Sequence, residues 1–320
     1  MSVSCSDCFS DLLCCEDSEI LSGDSPECSS DVESPAYVEE SIAGLIEEER
    51  NYVPGIDYIE RFQSQSLDAA AREESVSWIL KVQAYYGFQP LTAYLSVNYF
   101  DRFLYFRSLP QTNGWPMQLL SVACLSLAAK MEESLVPSLL DLQVESAKYI
   151  FEPRTIRRME FLVLGVLDWR LRSVTPFHFI NFFAYKLDSE GTHTGFLISR
   201  ATEIILSNIR EASFIEYRPS CIAAATILCA AHDIPKFSLV NPAHAESWCD
   251  GLCKEKIMNC YQLMQVDNRQ KKPPKVLPQL RVMSRVRTRS GDSSSSSSSS
   301  SFKRKKLNNS LWVDGDKRNF

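Results

Sequence analysis

Between Arg72 and Leu167 apolar residues recur at helical spacing, and two runs depart from a simple amphipathic stripe. Leu119, Leu120, Val122, Ala123, Cys124, Leu125, Leu127, Ala128 and Ala129 make a segment apolar on nearly every side, the composition of a helix at the centre of a core. Lys130 closes it. Thirty residues later Ile156, Met159, Val163, Leu164 and Leu167 fall at three- and four-residue steps, which places Glu160 at the margin of the buried stripe. Each charge has an ordinary explanation. A lysine in a last turn complements the helix dipole and snorkels to water, and a glutamate beside Arg157 and Arg158 can be solvated. If the surrounding apolar surface is covered, however, each needs a partner.

Breaks at Gly87, Pro110, Gly114, Pro116, Pro137 and Pro153 divide this region into five predicted helices, at 72–87, 90–108, 118–131, 139–146 and 153–168. After Ser173-Val174-Thr175-Pro176 a second series is predicted at 177–187, 196–209, 219–231 and 246–264. The runs 118–129 and 219–231 echo one another, each interleaving small residues with large aliphatics so that neighbouring helices can approach closely. That points to a duplicated helical domain; an alanine-rich core helix arising twice by accident is the alternative. No alternating β-branched run interrupts either series, so the predicted class is all-α. Two tandem five-helix repeats are expected at 72–172 and 173–268. A helical arm precedes them at 41–71, with Ile42, Leu45, Ile46, Tyr52, Ile56, Tyr58, Ile59 and Phe62 broken at Pro54-Gly55.

Composition changes the picture mainly at the ends. The chain has 320 residues, 45% of them hydrophobic, enough to bury a substantial core. Its formal charge of −6 hides a gradient: Arg50 is the only basic residue before Arg61, whereas Lys and Arg dominate from Arg269 to Lys306. Residues 1–40, rich in Ser, Asp, Glu and Cys, and residues 269–320, with their serine run, are expected to be disordered tails. A near-neutral body with charged tails argues against a nucleic-acid-binding core. The eleven cysteines, with no secretory signal ahead of them, are expected to be reduced thiols in cytosol or nucleus. No apolar run reaches membrane-spanning length. Cys5-x-x-Cys8 with Cys14 and Cys15 lacks the two spaced ligand pairs of a zinc module, so no metal and no cofactor are predicted.

The tails carry short motifs. Leu12-Leu13-Cys14-Cys15-Glu16 matches the Leu-x-Cys-x-Glu signature by which peptides bind the pocket of retinoblastoma-type proteins. In an extended chain Leu12, Cys14 and Glu16 share one face, and Asp11 and Asp17 would favour a basic rim. Lys303-Arg304-Lys305-Lys306 reads as a nuclear-import signal or as a solvated cluster, and Ser25-Pro26 and Ser34-Pro35 as proline-directed phosphorylation sites.

Across residues 72 to about 265 the chain resembles the cyclins, and more narrowly the plant D-type cyclins. The resemblance rests on Arg72, the run Ser77-Trp78-Ile79-Leu80, the run from Thr92 through Asn98-Tyr99-Phe100-Asp101-Arg102 to Leu104, and Leu119, Lys130 and Glu160. It implies an internal ion pair between Arg72 and Asp101, and a kinase-binding site at Lys130, Glu160 and Leu119, where Lys130 and Glu160 hydrogen-bond the kinase main chain. Trp78 and Gln118 match residues of a substrate-docking patch. The apolar positions that surround the arginine in that patch read Ala71, Glu74 and Ser75 here, so docking through Arg-x-Leu motifs is not expected to carry over.

The function implied is a non-catalytic regulatory subunit that binds and activates a cyclin-dependent kinase, in the nucleus and also the cytoplasm, and promotes the G1/S transition. A retinoblastoma-related substrate and a kinase inhibitor protein are the further partners implied. No phosphate-binding glycine loop, nucleophile elbow or metal cluster stands in the sequence. The rivals are a transcription-associated cyclin, which would share Lys130 and Glu160 without needing the Leu-x-Cys-x-Glu motif, a tandem cyclin-fold transcription factor, which would bring a basic core and a zinc ribbon, and an interaction scaffold that binds no kinase.

Overall fold

The computed structural model describes residues 35–55, 57–64, 67–110, 114–143, 147–237, 242–270 and 305–306. Residues 1–38 and 39–320 form two units, and both repeats lie in the second. The helices are α1 (Pro35–Glu48), α2 (Asp57–Gln63), α3 (Ala69–Tyr86), α4 (Pro90–Phe106), α5 (Trp115–Glu132), α6 (Pro153–Val166), α7 (Phe177–Leu187), α8 (Thr194–Asn208), α9 (Pro219–His232) and α10 (Lys254–Gln270).

Local chemistry sets most helix ends. Asp68 caps α3 by accepting from the N–H groups of Ala70 (2.9 Å) and Ala71 (3.1 Å). Gly87, at φ +68°, ends it in the left-handed conformation that glycine adopts without penalty. Proline begins α4, α6 and α9, where its missing N–H costs nothing. Glu133 supplies the acceptor that the start of α4 lacks, taking bonds from Gln89 N–H (2.7 Å) and the Thr92 hydroxyl (2.5 Å).

Two helices sit at the centres of the repeats. Residues 119–129 of α5 are buried without a break, and α5 packs against α3, α4 and α6. Residues 219–231 of α9 are buried in the same way, and α9 packs against α7, α8 and α10. The internal echo in the sequence thus corresponds to two equivalent central helices.

Polar side chains tie α4 to the connecting segment and to the arm, and the arm to the second repeat. Arg102 donates to Arg170 O (3.0 Å) and the Ser173 hydroxyl (3.1 Å), Tyr99 to Leu171 O (2.6 Å), and Asn98 to Tyr52 O of the arm (2.8 Å). Glu49, from the 3-10 turn Glu49–Tyr52, is fully buried and accepts from the N–H and hydroxyl of Ser220, both at 2.7 Å, at the start of α9.

Several expectations need correction. The segment predicted as a helix at 139–146 is a 3-10 turn, Asp141–Gln143, with 144–146 outside the described residues. The Ser138 hydroxyl competes with helical pairing by binding the Asp141 carboxylate and accepting from its N–H. The predicted helix 246–264 is a 3-10 turn, Pro242–Trp248, and then α10, separated at Gly251 (φ +89°). Helix α1 starts at Pro35, inside the stretch expected to be tail, and α10 runs two residues beyond 268. A two-residue strand, β1 (Tyr149–Ile150), pairs in parallel with β2 (Lys305–Lys306), an exception to the all-helical pattern that falls in the other predicted tail.

Candidate functional site

Packing of α5 against α6 brings the last turn of one beside the middle of the other, and Lys130 Nζ donates to Glu160 Oε1 at 2.7 Å. The sequence reading left each charge to find a partner outside the chain; the structure pairs them with one another. The pair is lopsided: the Glu160 side chain is 8% exposed and the Lys130 side chain 45%. An ammonium carries three donors, so the bridge leaves Lys130 able to donate to an incoming acceptor.

Large apolar side chains crowd the sequence on either side of this bridge without being buried. Met131, Leu135, Val136 and Leu140 follow Lys130, and Phe161 follows Glu160; Leu135 is 85% exposed and Phe161 66%. Helical periodicity alone singles out none of the five. Their signal was available, since Leu135-Val136-Pro137 lies outside any helical stripe and Phe161 falls off the Ile156–Met159–Val163 face. Exposed apolar clusters of this kind mark interaction surfaces.

Leu119 does not belong to that surface. It is 1% exposed within the all-round buried part of α5, so it packs the core and cannot touch a partner directly.

Arg72 and Asp101 meet through two 2.8 Å bonds, Nε to Oδ1 and Nη2 to Oδ2, and Tyr58 donates its hydroxyl to Oδ1 at 3.1 Å. Both charged side chains are buried. Arg72 also donates to Arg210 O (2.8 Å) and Ile209 O (3.3 Å), so the pair ties α3 and α4 to the end of α8 as well as to each other. Burial pulls the guanidinium's pKa down, the Asp101 charge and hydrogen bonds more than offset this, and the net shift is upward.

Ala71, Glu74, Ser75, Trp78 and Gln118 line one groove, together with Lys81, Lys148 and Tyr149. Gln118 donates to Tyr149 O (2.9 Å) and accepts from Tyr149 N–H (3.1 Å), which fixes β1 beside it. Trp78 is 7% exposed, so little of its ring is open to the groove.

Leu12, Cys14 and Glu16 lie outside the described residues, as do Cys5, Cys8 and Cys15. Among the described residues no group of His, Cys, Asp and Glu could hold a metal ion, and no helix is long and apolar enough to cross a membrane.

Comparison with known proteins identifies the family. The cyclin N-terminal domain family matches residues 40–172 and the cyclin C-terminal domain family residues 174–298. Cyclin-D1-1 of Arabidopsis thaliana is 62% identical over 311 residues, covering 95% of this chain and 92% of that protein. Cyclin-D2-1 of Oryza sativa subsp. japonica is 57% identical over 239 residues, covering 75% and 74%. Among solved structures, a viral cyclin from herpesvirus saimiri superposes with a TM-score of 0.51 at 16% identity, over 64% of this chain and 86% of the viral one, a likeness of fold. With both domain families matched in tandem and most of the chain aligned to named relatives, the protein belongs to the cyclin family and, within it, to the plant D-type cyclins.

Proposed function

We propose that this cyclin docks on a cyclin-dependent kinase through the surface around the Lys130–Glu160 bridge, and that docking activates the kinase. Cyclins are regulatory subunits of protein kinases and not catalysts, and this chain is one of them. The observation that carries the docking reading is the bridge itself: a half-exposed ammonium on a nearly buried carboxylate, with exposed Met131, Leu135, Val136, Leu140 and Phe161 beside the two charges in sequence. A partner that covered the apolar residues would desolvate the charges and would have to offer main-chain acceptors and donors in return. Seating the first repeat against the kinase would press its αC helix inward, so that the αC glutamate pairs with the ATP-positioning lysine.

The test is a charge swap. Lys130→Glu combined with Glu160→Lys keeps an ion pair inside the subunit but presents reversed polarity to a partner. Lys130→Ala, Glu160→Ala and the swap are each expected to lose kinase association in a pull-down while helical circular dichroism is retained. Restored association in the swap would mean that the bridge serves the subunit's own fold, and unchanged association in the alanine variants would refute the site.

We propose further that Leu12, Cys14 and Glu16 tether a retinoblastoma-related substrate, raising its effective concentration near the kinase to promote the G1/S transition, and that Lys303–Lys306 direct the protein to the nucleus. Cys14→Gly should abolish retinoblastoma-type binding and leave activity toward a histone-like substrate intact; retained pocket binding would remove the motif from the account.

A further inference from the structure

Strand β1 is a short piece of extended backbone on the surface of the first repeat, and the Gln118 side chain satisfies both main-chain groups of Tyr149. Successive peptide groups of a strand point to opposite edges, so the N–H and C=O of Ile150 face away from Gln118. On that second edge lies β2, in parallel register with Tyr149 opposite Lys305 and Ile150 opposite Lys306. The edge adjoins the groove of about 150 Å³ lined by Trp78, Glu74, Lys81, Gln118 and Lys148.

We propose that the protein's own C-terminal segment around Lys305–Lys306 occupies the edge of the Trp78–Gln118 groove by strand addition, so that any extended peptide reaching this edge must displace it. Charge does not account for the seat. The groove offers Glu74 but also Lys81 and Lys148, so it has no net attraction for a dibasic segment. Main-chain pairing accounts for it, as in other cases where a peptide adds to an exposed strand.

The chain's connectivity makes so short a pairing effective. The 34 residues from 271 to 304 can extend to roughly 110–120 Å, more than is needed to reach any point on the first repeat. Covalent connection through the same chain holds that end at an effective concentration on the order of 1 mM. A competing peptide at about 10 µM then starts at a disadvantage of about 100-fold, and removing the tail's pairing restores that factor to the competitor.

The experiment is hydrogen exchange on full-length protein, read at the Ile150 amide. Two double variants are compared with wild type: Lys305→Pro with Lys306→Pro, which removes backbone donors and fixes φ away from the extended strand that presents an acceptor to Ile150, and Lys305→Ala with Lys306→Ala, which leaves the backbone able to pair. Wild type and the alanine variant are expected to exchange at the same rate, and the proline variant at least tenfold faster. The rates should not change with protein concentration between about 1 and 50 µM. Equal exchange in wild type and the proline variant would overturn the proposal. Loss of protection in the alanine variant would overturn the main-chain mechanism, and protection that grows with concentration would assign the strand to a second copy instead.

Discussion

Replacing Asp101 with alanine should destabilise the protein more than almost any other single surface-neutral change, and the structure sets the size. Asp101 is 5% exposed and accepts two bonds from Arg72, itself 1% exposed, and one from Tyr58. In Asp101→Ala the guanidinium stays buried with the carbonyls of Ile209 and Arg210 still beside it but no countercharge. Removing one partner of a buried pair costs about 3–5 kcal/mol. For an ordered region of this size each kcal/mol moves the melting temperature by about 2–4 °C, so the fall should be about 6–20 °C. Arg72→Met should fall in the same range, because it strands the carboxylate. The double variant Arg72→Met with Asp101→Leu should lose far less than the sum, since apolar replacement of a whole buried pair is often close to neutral. Differential scanning calorimetry of wild type, Arg72→Met, Asp101→Leu and the double variant closes the cycle and gives the coupling directly, expected near 3 kcal/mol. A melting temperature for Asp101→Ala within about 2 °C of wild type, or strict additivity in the double variant, would refute the assignment of this pair to the fold.

Three further expectations follow from single contacts. Burial raises the Glu49 carboxyl pKa, outweighing the Ser220 hydrogen bonds and the charges of Arg218 and Arg50, so its contribution to stability is fullest below the unfolded carboxylate range and is lost as pH rises through the folded value. The melting temperature of wild type relative to Glu49→Gln should therefore fall as pH rises through the ordinary carboxylate range and beyond it, and a pH-independent difference would contradict it. Phe161→Ser removes an exposed ring, so it should change stability by no more than about 0.5 kcal/mol yet weaken kinase association by about tenfold or more; equal affinity by calorimetric titration would place Phe161 outside the interface. Burial pushes the Cys221 thiol up to about 11 and Cys229 to about 12. At about pH 8, maleimide labelling mapped by mass spectrometry should modify exposed Cys253 and spare both, along with buried Cys124 and Cys260.

What was legible in the sequence was whatever repeats at a fixed local spacing. Helices α4, α7 and α9 fell close to their predicted positions because proline or a long apolar period marks them, and the unbroken apolar character of 119–129 announced a central helix. What was not legible depends on residues far apart in the chain. Glu49 holds Ser220 across 171 positions, and Glu133 serves the start of α4 across 44. Each reads in sequence as an ordinary surface polar residue. Lys130 and Glu160 were half legible: periodicity put each at an edge, but nothing local to either one measures the 2.7 Å between them.

The two ion pairs of the first repeat differ in a way that suits them to opposite tasks. Arg72 and Asp101 are sealed on every side, and opening them exposes two charges to a medium that cannot solvate them. Lys130 is half in water, so opening its bridge rehydrates the ammonium and leaves only Glu160 to be satisfied. Its opening is therefore cheap, and Glu160 can exchange the lysine for a main-chain donor of an incoming polypeptide with little loss. The rigid pair fixes α3 and α4 against the second repeat through Ile209 and Arg210, and α4 and α5 then carry that fixity to the bridge. If the bridge docks the kinase as proposed, the second repeat is expected to influence docking through these contacts. Substitutions at the α8 end that disturb the two carbonyls should weaken kinase binding in proportion to the stability they remove.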